Sequence, residues 1–223
     1  MNFQEYPDRE IMMMDLADRI SSELKGHLLT NDRATLCIPG GSTPGPAFDI
    51  LSGVRLPWDR ISVMLNDERW VPEDSPRSNT RLVRERLLTE HAAAAQMVPL
   101  HTDVPTPEEG LGALSDEVEA HLPITVLLLG MGTDGHTASL FPGADQLEAA
   151  FAPDAPALMA MRAEGADEPR ITLSARALRT AMSTHVLITG AEKREVLEAA
   201  AKKPELEAPI RGFLGAATVH WAA

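Results

Sequence analysis

The sequence predicts one α/β domain over residues 1–223, built on a mainly parallel sheet, and three observations predict it. Short apolar runs alternate with stretches of helical spacing. The runs hold few polar residues, which is how strands buried on both faces read. Two of them, Ala34–Ile38 and Ile124–Leu129, end in glycine-rich turns, and ligands bind at such strand ends in open α/β sheets.

Residues Asp8 to Leu29 read as a helix, with Met13, Leu16, Ala17, Ile20, Leu24 and Leu28 at helical spacing and Asp8 near the N-cap. Met12 to Met14 are expected to give core packing and one exposed side chain. Ala34 to Ile38 is a short buried strand that runs into Pro39-Gly40-Gly41-Ser42-Thr43-Pro44-Gly45-Pro46 and then a helix at Ala47–Leu51. Pro44 or Pro46 suits a first helical turn. Free amides there, with the Ser42 and Thr43 hydroxyls, make either an anion site or a plain tight turn. The turn is not a Walker A loop and not a Gly-x-Ser-x-Gly elbow.

Ile61 to Leu65 is the next strand, followed by Asp67-Glu68-Arg69, whose default reading is a surface ion pair. Asn79 is expected to cap a helix at Thr80–Leu88 that carries solvated Arg81, Arg84 and Arg86. A short strand at Met97–Leu100, a helix at Glu108–His121 ended by Pro123, and the strand Ile124–Leu129 follow. Residues Ala144 to Pro156 read as loop. Ala157–Met161, Pro169–Ser174 and Ser183–Thr189 read as strands, Ala191–Leu197 opens a helix, and Thr218–Trp221 reads as a last edge strand.

Composition narrows the function. The net charge of −13 argues against nucleic acid and anionic membranes as partners, and it requires a local Arg/Lys cluster if the substrate is an anion. The one cysteine, Cys37, lies in an apolar run and reads as a core residue. No basic n-region opens the chain and no apolar run approaches a membrane span, so the expected compartment is the cytoplasm.

The run Gly130-Met131-Gly132-Thr133-Asp134-Gly135-His136 fits Gly-x-Gly-x-x-Gly. A dinucleotide site is disfavoured because Pro142-Gly143 interrupts the helix such a site needs, and no acidic residue ends a following strand at the required distance. The seven histidines form no metal-ligand spacing, and Asp134 with His136 are too few ligands for zinc, so no metal is expected. His136 is the side chain suited to proton transfer near neutral pH, with Asp134 two residues before it.

Taken together and in order, Gly40-Gly41-Ser42-Thr43-Pro44, Asp67-Glu68-Arg69-Trp70-Val71-Pro72 with Ser78-Asn79, Gly130 to Pro142, and Arg170-Ile171-Thr172-Leu173 closely resemble the 6-phosphogluconolactonases, within the superfamily that includes the glucosamine-6-phosphate deaminases. The resemblance implies a Rossmann-like parallel sheet with helices on both faces, hydrolysis of 6-phospho-D-glucono-1,5-lactone in the oxidative pentose phosphate pathway, and no obligatory cofactor. It implies His136 as base with Asp134 beside it. It implies a phosphate loop at Gly41, Ser42 and Thr43, with Arg170 and Lys193 holding phosphate or sugar and Asp67 and Arg69 lining the cleft. Arg77 is a further candidate cation. The expected partner is a small sugar-phosphate lactone, and the expected state a monomer or weak homo-oligomer. The rivals are an amino-sugar phosphate deaminase, which usually has Asp-Glu-Tyr where this chain has Asp67-Glu68-Arg69, and a non-catalytic sugar-phosphate sensor. The tail Thr218–Ala223 lacks the Asp-x-x-Ala that often follows this tryptophan, which puts a last helical turn in doubt.

Overall fold

A computed structural model describes residues 1–223. Seven strands form one all-parallel sheet in the order β1-β10-β9-β6-β2-β3-β5. They are β1 (Asn2–Glu5), β2 (Ala34–Ile38), β3 (Ile61–Leu65), β5 (Gln96–Val98), β6 (Val126–Leu129), β9 (Ser183–Thr189) and β10 (Thr218–Ala222). Every residue of β2, β3 and β6 is buried, as expected for central strands covered on both faces. The helices are α1 (Arg9–Leu28), α2 (Gly45–Ser52), α3 (Asn79–Arg86), α4 (Pro107–Ala120), α5 (Leu147–Phe151), α6 (Ala175–Leu178) and α7 (Ala191–Ala200). None is long and apolar enough to cross a membrane.

The connections run from β2 outward to β3 and β5, then return to the other side of β2 as β6 and continue to β9. The chain therefore reverses direction across the sheet between β2 and β6, and a crevice opens there beyond the strand ends. β4 (Asp67–Arg69), β8 (Arg170–Leu173) and β7 (Leu158–Met161) form a separate antiparallel sheet that brings Asp67 and Arg170 to this crevice.

Several expectations change. Thr218–Ala222 is not the edge strand, because β1 pairs in parallel outside it. β1 was invisible as a strand because Asn2–Glu5 has no apolar run. Residues 144–156 are not all loop, since α5 lies within them. The strands at 158–161 and 170–173 belong to the small antiparallel sheet rather than the parallel one. Ser78, not Asn79, caps α3, its hydroxyl accepting from the Arg81 N–H. Arg81, Arg84 and Arg86 are paired with Glu85, Glu73 and Asp49. Met12 and Met13 are buried and Met14 is exposed, as the sequence implies.

Glu68 is the largest departure. It is 1% exposed, so it is no surface ion pair. Its carboxylate accepts from the amides of Arg69, Asn79 and Thr80 and from the Ser78 hydroxyl. An anion at the free amides of a helix start is favourable, and this one locks the turn after β4 onto α3.

Beneath α1, away from the crevice, a chain of hydrogen bonds links Glu23, His185, His220, Tyr6 and Asp15, with Arg19 on the Asp15 carboxylate. Ser183 also approaches His185. Burial, and then the neighbouring His185 and Arg19 charges, push the His220 imidazole down to about 3, against the opposing pull of Asp15 and Glu23. Unfolded, it takes a proton near its ordinary value of about 6.5. Between those pH values the unfolded chain binds the extra proton, so stability falls as pH drops, by up to about 1.4 kcal/mol per unit, and His220 adds no slope above the window. Denaturant unfolding at pH 7.5 and 5.5 is expected to show a smaller difference for His220→Gln than for the parent. Equal differences refute this role for His220.

Candidate active site

The crevice at the reversal point is lined by the β2 turn (Gly40, Gly41, Thr43), by Asp67, Arg69 and Asn79, by the loop after β6 with His136, and by Arg170 and Lys193. Residues from five separate parts of the sequence meet here because each follows or flanks a strand that ends at this edge. Ser42 lies apart, exposed on a neighbouring groove beside Arg9 and Met13. Arg77 is engaged by Glu168, at 2.8 Å, and does not line the crevice.

His136 sits at the turn after β6. Its Nδ1 is 2.6 Å from Asp134 Oδ1, and the same oxygen accepts from the His136 backbone N–H at 3.0 Å. Burial pushes the Asp134 carboxyl up, but the hydrogen bonds from the His136 side chain and backbone more than offset this and hold it at about 2. Asp134 is thus an anion at neutral pH. It favours an N–H on Nδ1 pointing at the carboxylate and leaves Nε2 without a partner in the protein. Gly132 makes the arrangement sterically feasible, since a Cβ there would lie 2.2 Å from the His136 ring and 2.6 Å from Asp134 Oδ1. Ala138 has φ +50°, a left-handed conformation unusual for a residue with a side chain, and this strain falls inside the histidine loop.

Three cationic side chains line the same crevice. Arg170 is mostly buried, its only carboxylate partner is Asp67 at 3.8 Å, and its Nε has no hydrogen-bond partner. Burial pushes its guanidinium below the ordinary arginine value, partly opposed by Asp67. Arg69 donates from Nη1 to Asn79 Oδ1 at 2.6 Å and to the Arg77 carbonyl at 2.9 Å, and its Nε is also unpartnered. Lys193 Nζ donates to the Met131 carbonyl at 2.7 Å; burial lowers its ammonium, with Asp134 and Glu192 opposing. A buried cation short of partners is costly alone and suited to receive an anion.

The histidine loop is tied to Asp67. Ser139, fully buried in the histidine loop, donates to Asp67 Oδ2 at 2.5 Å, the oxygen that faces Arg170. The two glycine turns differ, since the amides of Gly40, Gly41, Ser42 and Thr43 have no acceptor in the protein while others are used locally. Gly45 N–H donates to the Ser42 carbonyl, Gly132 N–H to His136, and Gly135 N–H to Gly132. Asn79, whose Nδ2 donates to the Asp67 carbonyl, is a site residue that sequence reasoning placed only as a helix cap. A Cβ on Gly40 would fall 1.9 Å from its Oδ1. Nothing in the local pattern signals this contact, which depends on Glu68 anchoring a distant turn. No group of three or more His, Cys, Asp or Glu side chains is placed to hold a metal ion.

Fold and site together define an α/β enzyme whose switch-point crevice holds an imidazole paired with a carboxylate beside Arg69, Arg170 and Lys193. Comparison with known proteins agrees. Residues 7–221 match the family described as glucosamine-6-phosphate isomerases/6-phosphogluconolactonase. The 6-phosphogluconolactonase of Rhizobium meliloti is 42% identical over 93% of this chain and 92% of its own, and that of Mesorhizobium japonicum is 38% identical over 99% and 95%. The crystal structure of a 6-phosphogluconolactonase from Shewanella baltica superposes with a TM-score of 0.96 at 33% identity, covering 100% of this chain and 98% of that one. The chain belongs to the glucosamine-6-phosphate isomerase/6-phosphogluconolactonase family.

Proposed function

We propose that this chain hydrolyses 6-phospho-D-glucono-1,5-lactone to 6-phosphogluconate, the second step of the oxidative pentose phosphate pathway, with His136 as general base. The relatives named as lactonases support the substrate. The observation that carries the chemistry is the Asp134–His136 pair at 2.6 Å in a crevice that also holds Arg170 and Lys193.

The phosphate is held by Arg170 and Lys193, with Gly41 and Thr43 lining the same crevice, and its binding energy orients the lactone. Nε2 of neutral His136 takes a proton from water as the water oxygen bonds to the C1 carbonyl carbon. Asp134 stabilises the imidazolium that forms. The developing oxyanion is stabilised by a crevice guanidinium, for which Arg69, with its unpartnered Nε, is the candidate. Collapse breaks the bond from C1 to the ring oxygen, and the imidazolium returns its proton to that oxygen. No redox step or cofactor enters.

The test is turnover by the purified chain of freshly made lactone above its spontaneous hydrolysis, beside ammonia release from glucosamine 6-phosphate. Lactone turnover without ammonia is expected. Ammonia release without lactone turnover gives the deaminase instead, and tight binding of 6-phosphogluconate with neither activity gives the sensor.

A further inference from the structure

We propose that Phe141 is a positioning residue that sets both the base and the anion grip, through one ring shared by His136 and Arg170. Its ring centroid is 4.3 Å from that of His136, with the planes at 44°. The Arg170 guanidinium carbon is 5.5 Å from the same centroid. Phe141 is partly buried and closes the loop that begins at Gly130.

Each neighbour lacks what the ring supplies. The His136 imidazole is anchored at Nδ1 by one carboxylate oxygen. That hydrogen bond holds one edge of the ring but leaves small rotations about χ1 and χ2 that tilt Nε2. An aromatic ring packed against the imidazole removes that freedom, and such pairs contribute beyond their buried area. Arg170 has an unpartnered Nε and one carboxylate at 3.8 Å, too few contacts to hold its plane. An aromatic ring beneath a guanidinium holds that plane and favours the charge. The imidazolium formed during turnover gains from the same ring.

This inference rests on the lactonase reading for its kinetic arm, but its binding arm does not need turnover. The variants are Phe141→Leu, which keeps apolar bulk without a π-face, and Phe141→Tyr, which keeps the ring; Phe141→Met serves if the leucine variant loses its cooperative thermal transition. Phe141→Leu is expected to lower kcat about three- to tenfold. It is expected to weaken inorganic phosphate, measured as a competitive inhibitor or by calorimetry, about two- to fivefold. Phe141→Tyr is expected to stay within about twofold of the parent on both measures, because the ring contact persists. In an Arg170→Gln background, which has no cation over the ring, Phe141→Leu is expected to leave phosphate affinity unchanged. Leucine behaving like phenylalanine on both measures, tyrosine losing as much as leucine, or the same loss of phosphate affinity in the glutamine background overturns the proposal. An inactive parent chain sinks the lactonase reading, while the phosphate measurements still decide the Arg170 half of this one.

Discussion

His136→Ala is expected to lower kcat for freshly made lactone by about 10²–10⁴-fold, the usual value of a positioned acid–base group. KM should stay within about threefold, because the phosphate contacts are proposed for other side chains and an interaction formed only in the transition state shows in kcat. The expectation follows from the geometry. Asp134 favours an N–H on Nδ1, Nε2 is free of protein partners, and Gly132 leaves room for the pair. The assay subtracts spontaneous opening measured in the same buffer, since the lactone hydrolyses unaided. A net rate near that of the parent ends the assignment. A fall in which KM rises steeply while kcat holds moves His136 to the binding side.

Arg170→Met is expected to raise KM for the lactone by about 30-fold or more, the cost of removing a mostly buried charge partner from an anion. Its stability is expected to fall as well, because the substitution leaves the buried Asp67 carboxylate without its salt-bridge partner. The Ser139 hydroxyl still donates to Asp67 and offsets part of that cost. Thermal unfolding of Arg170→Met is therefore expected below the temperature of the parent. A clear loss of stability with unchanged KM makes Arg170 a structural cation and removes it from the substrate site.

What could be read from the sequence follows physical range. Central strands such as Leu36–Ile38 and Val126–Leu129 are apolar throughout because both faces are covered, so a run of a few residues declares them. β1 was missed because an edge strand of Asn2, Phe3, Gln4 and Glu5 faces solvent and needs no such run. The antiparallel sheet was missed because β4 pairs with a strand about a hundred residues away, Asp67 opposite Thr172, and no local pattern encodes that partner. In the site, the glycine run and the Asp134–His136 spacing are local and were legible. Arg170, Lys193, Asp67 and Arg69 carried weight only as parts of an ordered motif set, since each alone reads as a solvated charge. Glu68 was misread because its partners, the amides of Asn79 and Thr80, lie across a turn whose path the sequence does not disclose. Phe141 passed as a motif letter, for its meaning lies in two neighbours on different strand ends.

The carboxylate of Asp67 facing Arg170 has a consequence for the timing of the cycle. A guanidinium with no counter-charge would hold a phosphate hard, and the anionic product carries the same phosphate plus a new carboxylate. Here an internal anion stands 3.8 Å from the cation and takes part of its field before any substrate arrives. An anion bound at Arg170 would share the arginine with it, and the complex would be looser and its residence shorter than the charge count of the crevice suggests. In a chain whose overall charge is −13, that sharing would favour departure of a product that carries both a phosphate and a carboxylate.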